Sequence, residues 1–534
     1  MKTLINGFLV FANLCGLLIC CHQIQPTEHS SPATEADYFD SDGTLPSTVS
    51  TTVPAEQLAH FSTASPFAAT LQHPLSTFSI DVDRGSYSHI RRFLMEGHLP
   101  PPAAVRIEEM INYFHYDYPP ARGEVPFSIT MEAGTCPWNS AHQLVHIGLQ
   151  GRQIIKDNLP ANNLVFLLDV SGSMDQPHKL PLLKNAFKLL VQELRPQDRV
   201  AIIVYAGASG LVLPSTSGVK KRSILLALEQ LKSGGSTAGA AGLQLAYKVA
   251  KLNFIKGGNN RIILATDGDF NVGLRSEEAL VHLIEQKRTQ GIALSVLGFG
   301  KTPYEDHKME QLADHGNGNY AYIDNIKEAQ KVLVQELSST LHTIAKDVKL
   351  QVEFNPSQIK AYRLIGYENR LLQDEDFYDD QKDAGELGAG HSVTALYEVV
   401  PTDGEATRGH LHPPLQPQSH TVEGSHATAM MSVKLRYKKP AGQQSQQIEQ
   451  ILDRKAIQQE QPSANFRFSA AVVGFGLLLR QSAFKGEANY PMIMELARSA
   501  RGKDELGYRS EFLHLVELAA AYTKEEWASD DPVK

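Results

Sequence analysis

Apolar runs and helical periods alternate along the middle of the chain. Leu164-Val-Phe-Leu-Leu168 is a continuous apolar run that stops at Asp169, and residues 179–194 then place Leu183, Phe187, Leu190 and Leu194 on one helical face. A run without polar interruption, followed by a helix, predicts a strand buried on both sides, as in a parallel sheet. The pattern repeats. Strands are expected at 164–169, 199–206, 261–266, 292–299 and 319–323, with a short one at 210–214. Helices are expected at 179–194, 219–231, 239–254, 276–290, 304–314 and 325–341. This alternation implies a mostly parallel, Rossmann-like sheet with helices on both faces.

The flanks follow another rule. Residues 77–82 alternate like a short strand, and Asp83 is placed to cap a helix carrying Tyr87, Ile90, Phe93 and Leu94. Pro100 to Pro102 break the chain before a second helix with Met110, Ile111 and Phe114. Segments 127–131 and 144–150 alternate, as do 348–354, 361–367, 392–400 and 430–437. A two-stranded piece is marginal alone and leaves open edges. Joining the two sets gives about six strands, enough for two packed sheets. The α/β unit is therefore expected as an insertion in an antiparallel β-sandwich, its ends close together. From Phe466 onward the period is helical, and the apolar stretch 470–479 is too short to span a bilayer. The expected fold is multidomain α/β plus β with a C-terminal helical region. Its segments are a signal peptide with lipobox (1–21), a disordered stalk (22–72), an N-terminal helical segment (73–125), the first sandwich strands (126–160), the α/β domain (161–345), the remainder of the sandwich (346–460) and the helical region (461–534).

Composition changes the picture mainly at the N-terminus. The 534 residues carry a net charge of −9 and no basic stripe, which disfavours nucleic-acid binding. Three of the four cysteines, Cys15, Cys20 and Cys21, lie in an apolar leader, leaving Cys136 alone in the folded body, where it is expected to be a small buried hydrophobe. The ending Leu18-Ile19-Cys20-Cys21 resembles a bacterial lipobox, with Cys21 as the lipid-bearing residue. An uncleaved anchor is the alternative, and both put the body outside the cytoplasm, tethered to a membrane. Residues 22–72 are rich in Ser, Thr, Pro and acidic residues and lack an apolar period. His410, His412, His420 and His426 fall in a polar loop with nothing to fix their geometry. Asp81, Asp83 and Ser86 superficially imitate a calcium loop, but the glycine is misplaced and the twelfth position is Arg92.

The candidate chemistry lies at the strand ends. Asp169, Ser171 and Ser173 follow the first buried strand, Thr237 opens the helix near 239, and Asp267 ends the run Ile262–Thr266. In a parallel sheet these ends share one edge, where open α/β sheets place their ligands. Three hydroxyls and two carboxylates make an oxygen-only site suited to Mg²⁺ (or Mn²⁺), which keeps waters and accepts an outside carboxylate. Singly, Asp169, Ser173 and Thr237 read equally as helix caps, and Asp267 as a turn residue.

These residues resemble the metal-ion-dependent adhesion site of von Willebrand factor A domains, Asp-x-Ser-x-Ser with a later Thr and Asp. It appears as Asp169-Val-Ser-Gly-Ser173, Thr237 and Asp267. The resemblance implies that Ser171, Ser173 and Thr237 bind the metal directly. It assigns Asp169 and Asp267 a role largely through water, with a partner's Glu or Asp completing the shell. Phe78 to Tyr87, Gly366-Tyr-Glu-Asn-Arg370, Asp383 to Glu386 with Gly390-His391, and Phe475 to Arg480 look like the bacterial YfbK-like group of A-domain proteins. The expectation is a non-enzymatic adhesion or scaffolding protein of the cell envelope. It would be lipid-anchored to a bacterial membrane, at the outer membrane or a periplasmic face, and bind a protein carboxylate through the metal. A metal-dependent or aspartic-type envelope hydrolase is the alternative, and a structural protein with a vestigial site is a third.

Overall fold

The computed structural model describes residues 64–529 except 208, 236–238, 269–276, 301–305, 337–340, 383, 403–428, 441 and 454–461. The leader with Cys21, most of the expected stalk, Thr237 and the histidine-bearing loop lie outside the described residues.

The strand Asn162–Asp169 is buried throughout, and its residues divide between two cores. Leu164, Phe166 and Leu168 face one helical layer, while Val165 and Leu167 face the other. A strand covered on both faces packs apolar side chains to both sides, which is why Leu164 to Leu168 read as an unbroken apolar run. Across the sheet the order is Tyr320–Ile323, Ile292–Phe299, Asn259–Thr266, Asn162–Asp169, Arg199–Tyr205 and Ser209–Ser217. All neighbours are parallel except the last pair, which is antiparallel. The helices Leu180–Glu193 and Gly239–Leu252 cover opposite faces. The strand order reverses between Asn162–Asp169 and Asn259–Thr266, so the crevice of the switch point opens at their carboxyl ends.

Strands from both sides of this unit make two antiparallel sheets. One runs Ala68–Ala69, Ile359–Leu364, Ser392–Pro401, Asn139–Gly151 and Phe127–Cys136. The other runs Leu371–Leu372, Leu75–Ser79, Thr343–Phe354, Ala429–Lys438 and Ser445–Asp453, with Gly385–Gly388 also paired to Thr343–Phe354. The joint between early and late strands is extensive: Leu144 lies opposite Glu398, and Gln150 opposite Ser392. Both sheets contribute to one core, with Phe127, Val145, Ile147 and Tyr397 meeting Phe78, Leu350, Val433 and Leu435. Where the chain leaves the sandwich at the end of Asn139–Gly151, the Gly151 N–H donates to the His391 carbonyl, just before the strand Ser392–Pro401, at 2.7 Å.

Several expected boundaries change. Residues 64–72 are not stalk: Phe67 packs edge-on against His142 and Phe484, and Thr70 is fully buried. The segment 73–125 is not a separate helical unit. Leu75–Ser79 is an interior strand of the second sheet, and the helices Gly85–Met95 and Ile107–Asn112 share one core with Ala464–Leu479, Tyr490–Ser499 and Tyr508–Ser529. That helical layer also packs on Leu144 and Leu396 of the first sheet. Asp83 does not cap the helix it precedes. Its carboxylate accepts from Arg370 at 2.9 Å, and Arg84 occupies the cap position without a side-chain cap bond. The helix expected at 325–341 is α-helical at Ile326–Gln330 and a π-turn at Lys331–Gln335. Cys136 is buried, and burial pushes its thiol up to about 12. Among the described residues no helix is long and apolar enough to cross a membrane.

The α/β domain meets the helical layer through buried charge. Arg91, 2% exposed, donates to Asp324 at 2.8 Å, Glu328 at 2.8 Å, Glu511 at 3.0 Å and the Tyr113 hydroxyl at 3.0 Å. Arg92 donates to the Tyr322 hydroxyl at 2.9 Å, and His89 stacks on that ring.

Candidate functional site

Asp169 is the last residue of the central strand, and its side chain is wholly buried. Burial, followed by the nearby Asp267 charge, pushes its carboxyl above the usual carboxylate range. Both oxygens are held: Oδ1 accepts from the Ser171 N–H at 2.9 Å, and Oδ2 accepts from the Thr266 hydroxyl at 3.3 Å. The first of these is an Asx-turn, which folds the chain sharply after the strand. Neither Asp169 nor Ser173 caps the long helix that follows; Lys179 occupies that position without a side-chain cap bond.

The turn brings the two serines together. Ser171, 2% exposed, and solvent-exposed Ser173 place their hydroxyl oxygens 3.0 Å apart. The loop is pinned from the next segment as well: the Gly172 N–H donates to the Gly235 carbonyl at 3.0 Å, and the Gly234 N–H donates to the Val170 carbonyl at 2.8 Å. Thr237 follows two residues after Gly235 and is itself outside the described residues. Asp267, 7% exposed, begins the loop after the adjacent strand. Asp169, Ser171, Ser173 and Asp267 thus share the carboxyl edge at the switch point.

These donors fit a hard divalent cation. All are oxygens, and cis ligands of an octahedral Mg²⁺ with bonds of about 2.0–2.1 Å lie roughly 3 Å apart. The Ser171 and Ser173 hydroxyls already have that separation, and their mutual hydrogen bond would give way to two metal bonds. Among the described residues no three His, Cys, Asp or Glu side chains come together as a metal cluster.

Three contributors escaped the sequence pattern. Thr266 holds Asp169 from the neighbouring strand, and its place immediately before Asp267 was the available signal. Tyr205, buried at the end of the next strand, accepts the Val170 N–H on its backbone carbonyl at 3.1 Å. Lys179 ends its side chain in the site: its Nζ donates to Asp267 Oδ2 at 2.8 Å and to the Ser173 carbonyl at 3.0 Å. An aspartic-type pair needs two carboxylates sharing a proton. Here Asp267 has a lysine as its partner instead.

Three family models match successive parts of the chain. The model for "von Willebrand factor type A domain" matches residues 163–336, that for "von Willebrand factor" matches 55–146, and that for "Uncharacterized protein YfbK, C-terminal" matches 339–522. The Escherichia coli K12 protein YfbK, itself uncharacterized, is 44% identical over 466 residues, covering 86% of this chain and 80% of its own length. An uncharacterized Synechocystis protein is 32% identical over 171 residues, 31% of this chain and 39% of its own. Among solved structures, a von Willebrand factor type A protein from Catenulispora acidiphila is 15% identical with a TM-score of 0.39, covering 72% of this chain and 89% of its own.

Proposed function

The chain belongs to the YfbK family of von Willebrand factor type A domain proteins, and we propose that it is an adhesion or scaffolding protein of the bacterial cell envelope whose oxygen cluster holds Mg²⁺ and whose partner supplies an Asp or Glu carboxylate to that ion. The observation that carries this reading is the pair of serine hydroxyls, 3.0 Å apart, beside two buried carboxylates at the switch point. Asp169 and Asp267 supply negative charge from below. Exposed Ser173 leaves the outer side open to solvent, where a partner could approach. Three neutral hydroxyl ligands, Thr237 included, leave the ion with net positive charge that an external carboxylate neutralises. The bound ion would contribute this electrostatic attraction. The chain's own part is to hold the serines at cis spacing and keep Asp169 fixed through Thr266. In this reading the protein is tethered to the membrane through a lipid on Cys21.

Calorimetry on the full chain should show a divalent site that Asp169→Ala with Asp267→Ala removes; equal binding by the double variant would refute the metal reading. Capture from envelope extract should recover a partner with Mg²⁺ and lose it with chelator or Thr237→Ala. A partner retained under both conditions would move the interface away from the metal face. Mass spectrometry of the mature N-terminus should find acylated Cys21, and an unmodified chain starting at Met1 would mean an uncleaved anchor.

A further inference from the structure

We propose that Lys179 is a tethered cation of the site, competing with the divalent ion for Asp267 and setting how tightly the ion is held. The inference rests on the proposed Mg²⁺ reading and adds a control element to it. Lys179 sits where the loop after Ser173 becomes the helix Leu180–Glu193. Its backbone is fixed on both sides: the Lys179 N–H donates to the Gln176 carbonyl at 2.9 Å, and the Leu183 N–H donates to the Lys179 carbonyl at 2.8 Å. The side chain lies in a slot, 13% exposed, with its Nζ bound to Asp267 Oδ2 and the Ser173 carbonyl. Gly300 forms the slot's wall. A Cβ there would come within 3.1 Å of Lys179 Cε, and φ of +117° favours glycine. The lysine is therefore placed by packing as well as by charge.

The pairing has two opposed effects. Asp267, whose side chain is 3% exposed, is neutralised by a partner only 2.8 Å away, so the ion pair supports the fold by itself. A buried pair of this kind is poorly screened by salt. A divalent ion drawing on the same carboxylate, directly or through water, meets one already claimed and a positive charge beside it. Like charges this close in a partly dry site repel strongly. Lys179 thus keeps the site orderly across changes of metal supply, at a cost in affinity.

The test compares the full chain with Lys179→Met, which keeps the apolar stem and removes the charge, and with Lys179→Gln, which keeps a donor. Mg²⁺ titration calorimetry should show both variants binding about tenfold or more tighter than the unaltered chain, as expected for removing an adjacent like charge. Thermal unfolding should show the opposite order in chelator, both variants melting below the unaltered chain because Asp267 has lost its partner. Mg²⁺ should then raise their melting temperature by more than it raises that of the unaltered chain. Equal or weaker Mg²⁺ binding by both variants would overturn the role of Lys179 while leaving the metal site standing. No Mg²⁺ binding by any of the three would overturn the metal reading itself, and the competition with it. Circular dichroism matching the unaltered chain at low temperature separates these outcomes from misfolding.

Discussion

Replacing Arg91 with Met should loosen the A domain from the helical layer, and the size and pH dependence of the loss follow from the carboxylates left behind. Arg91 is 2% exposed and answers Asp324 and Glu328 from the A domain and Glu511 from the last helix. Methionine keeps most of the stem's packing, so the charge is the main thing removed. Breaking a buried pair from one side typically costs about 3–5 kcal/mol, because the remaining charge stays buried without its partner. Burial already raises the Glu328 carboxyl above its ordinary value of 4.5, with Arg91 the leading influence holding it down. Without the guanidinium it rises further and takes up a proton in the folded state. A group whose folded pKa lies above its unfolded value favours the fold at low pH and loses that contribution as pH rises through the folded pKa. The deficit of Arg91→Met should therefore be small near pH 4.5 and widen with rising pH, by at most about 1.4 kcal/mol per pH unit per carboxyl. Urea unfolding of both proteins at pH 5 and pH 8, following the first transition, measures this. Adding Glu328→Gln should recover at least half of the loss at pH 8. A deficit below about 1 kcal/mol, or one indifferent to pH and to Glu328→Gln, would show that packing holds the layers together and the charges are incidental.

Other consequences are as direct. Gly318→Ala should cost about 3 kcal/mol or more, the upper end for overpacking, since its Cβ would fall 1.8 Å from the Leu294 carbonyl oxygen on the adjacent strand. Gly210→Ala, with nothing within 4 Å, should leave the melting temperature unchanged. Burial lowers His146 to about 3, and it stays neutral between the Tyr118 and Ser469 hydroxyls. The unfolded chain protonates near its ordinary value of 6.5, so the stability His146 gives above that pH is lost progressively as pH falls towards 3. His146→Gln should flatten the decline of the urea midpoint between pH 7 and pH 4. Thr266→Val removes the hydroxyl that holds Asp169 and should weaken Mg²⁺ about 10- to 100-fold in calorimetry, the usual effect of losing an outer support. Unchanged affinity would show that the Asx-turn alone orients Asp169.

Legibility from sequence tracked how completely an element is buried. The strand ending at Asp169 is covered on both faces, so Leu164 to Leu168 had to be apolar and the end of that run had to show. Ser445–Asp453 is a true strand that no apolar pattern announces: it lies at a sheet edge, with Gln446, Gln447, Glu449 and Gln450 exposed. Leu75–Ser79 was visible as a short alternating strand, but its partners are hundreds of residues away, and only tertiary pairing makes it interior to a sheet. The same limit merged two helical segments into one layer, because apolar faces reveal that they need cover and never which cover they receive. At the candidate site the oxygen-bearing residues were legible because their types and strand-end positions carry chemistry. Lys179 was not, because a lysine at a helix start reads as a solvated residue until Asp267 is seen beside it.

The joint between early and late strands also governs how the protein can be made. Leu144 cannot meet Glu398, nor Tyr118 reach Thr394, 276 residues further on, until the whole intervening domain has emerged. A chain delivered from its N-terminus presents Phe127–Cys136 and Asn139–Gly151 as a lone hairpin with an open edge for that entire interval. Such an edge invites pairing with other chains. The α/β domain is contiguous in sequence, so it can fold meanwhile as a unit, and in doing so it draws the ends of a very long loop together. Sandwich assembly is then timed by synthesis and delivery of the late strands. A lesion that slows folding of the inserted domain should surface first as aggregation through the waiting hairpin, far from the residue that was changed.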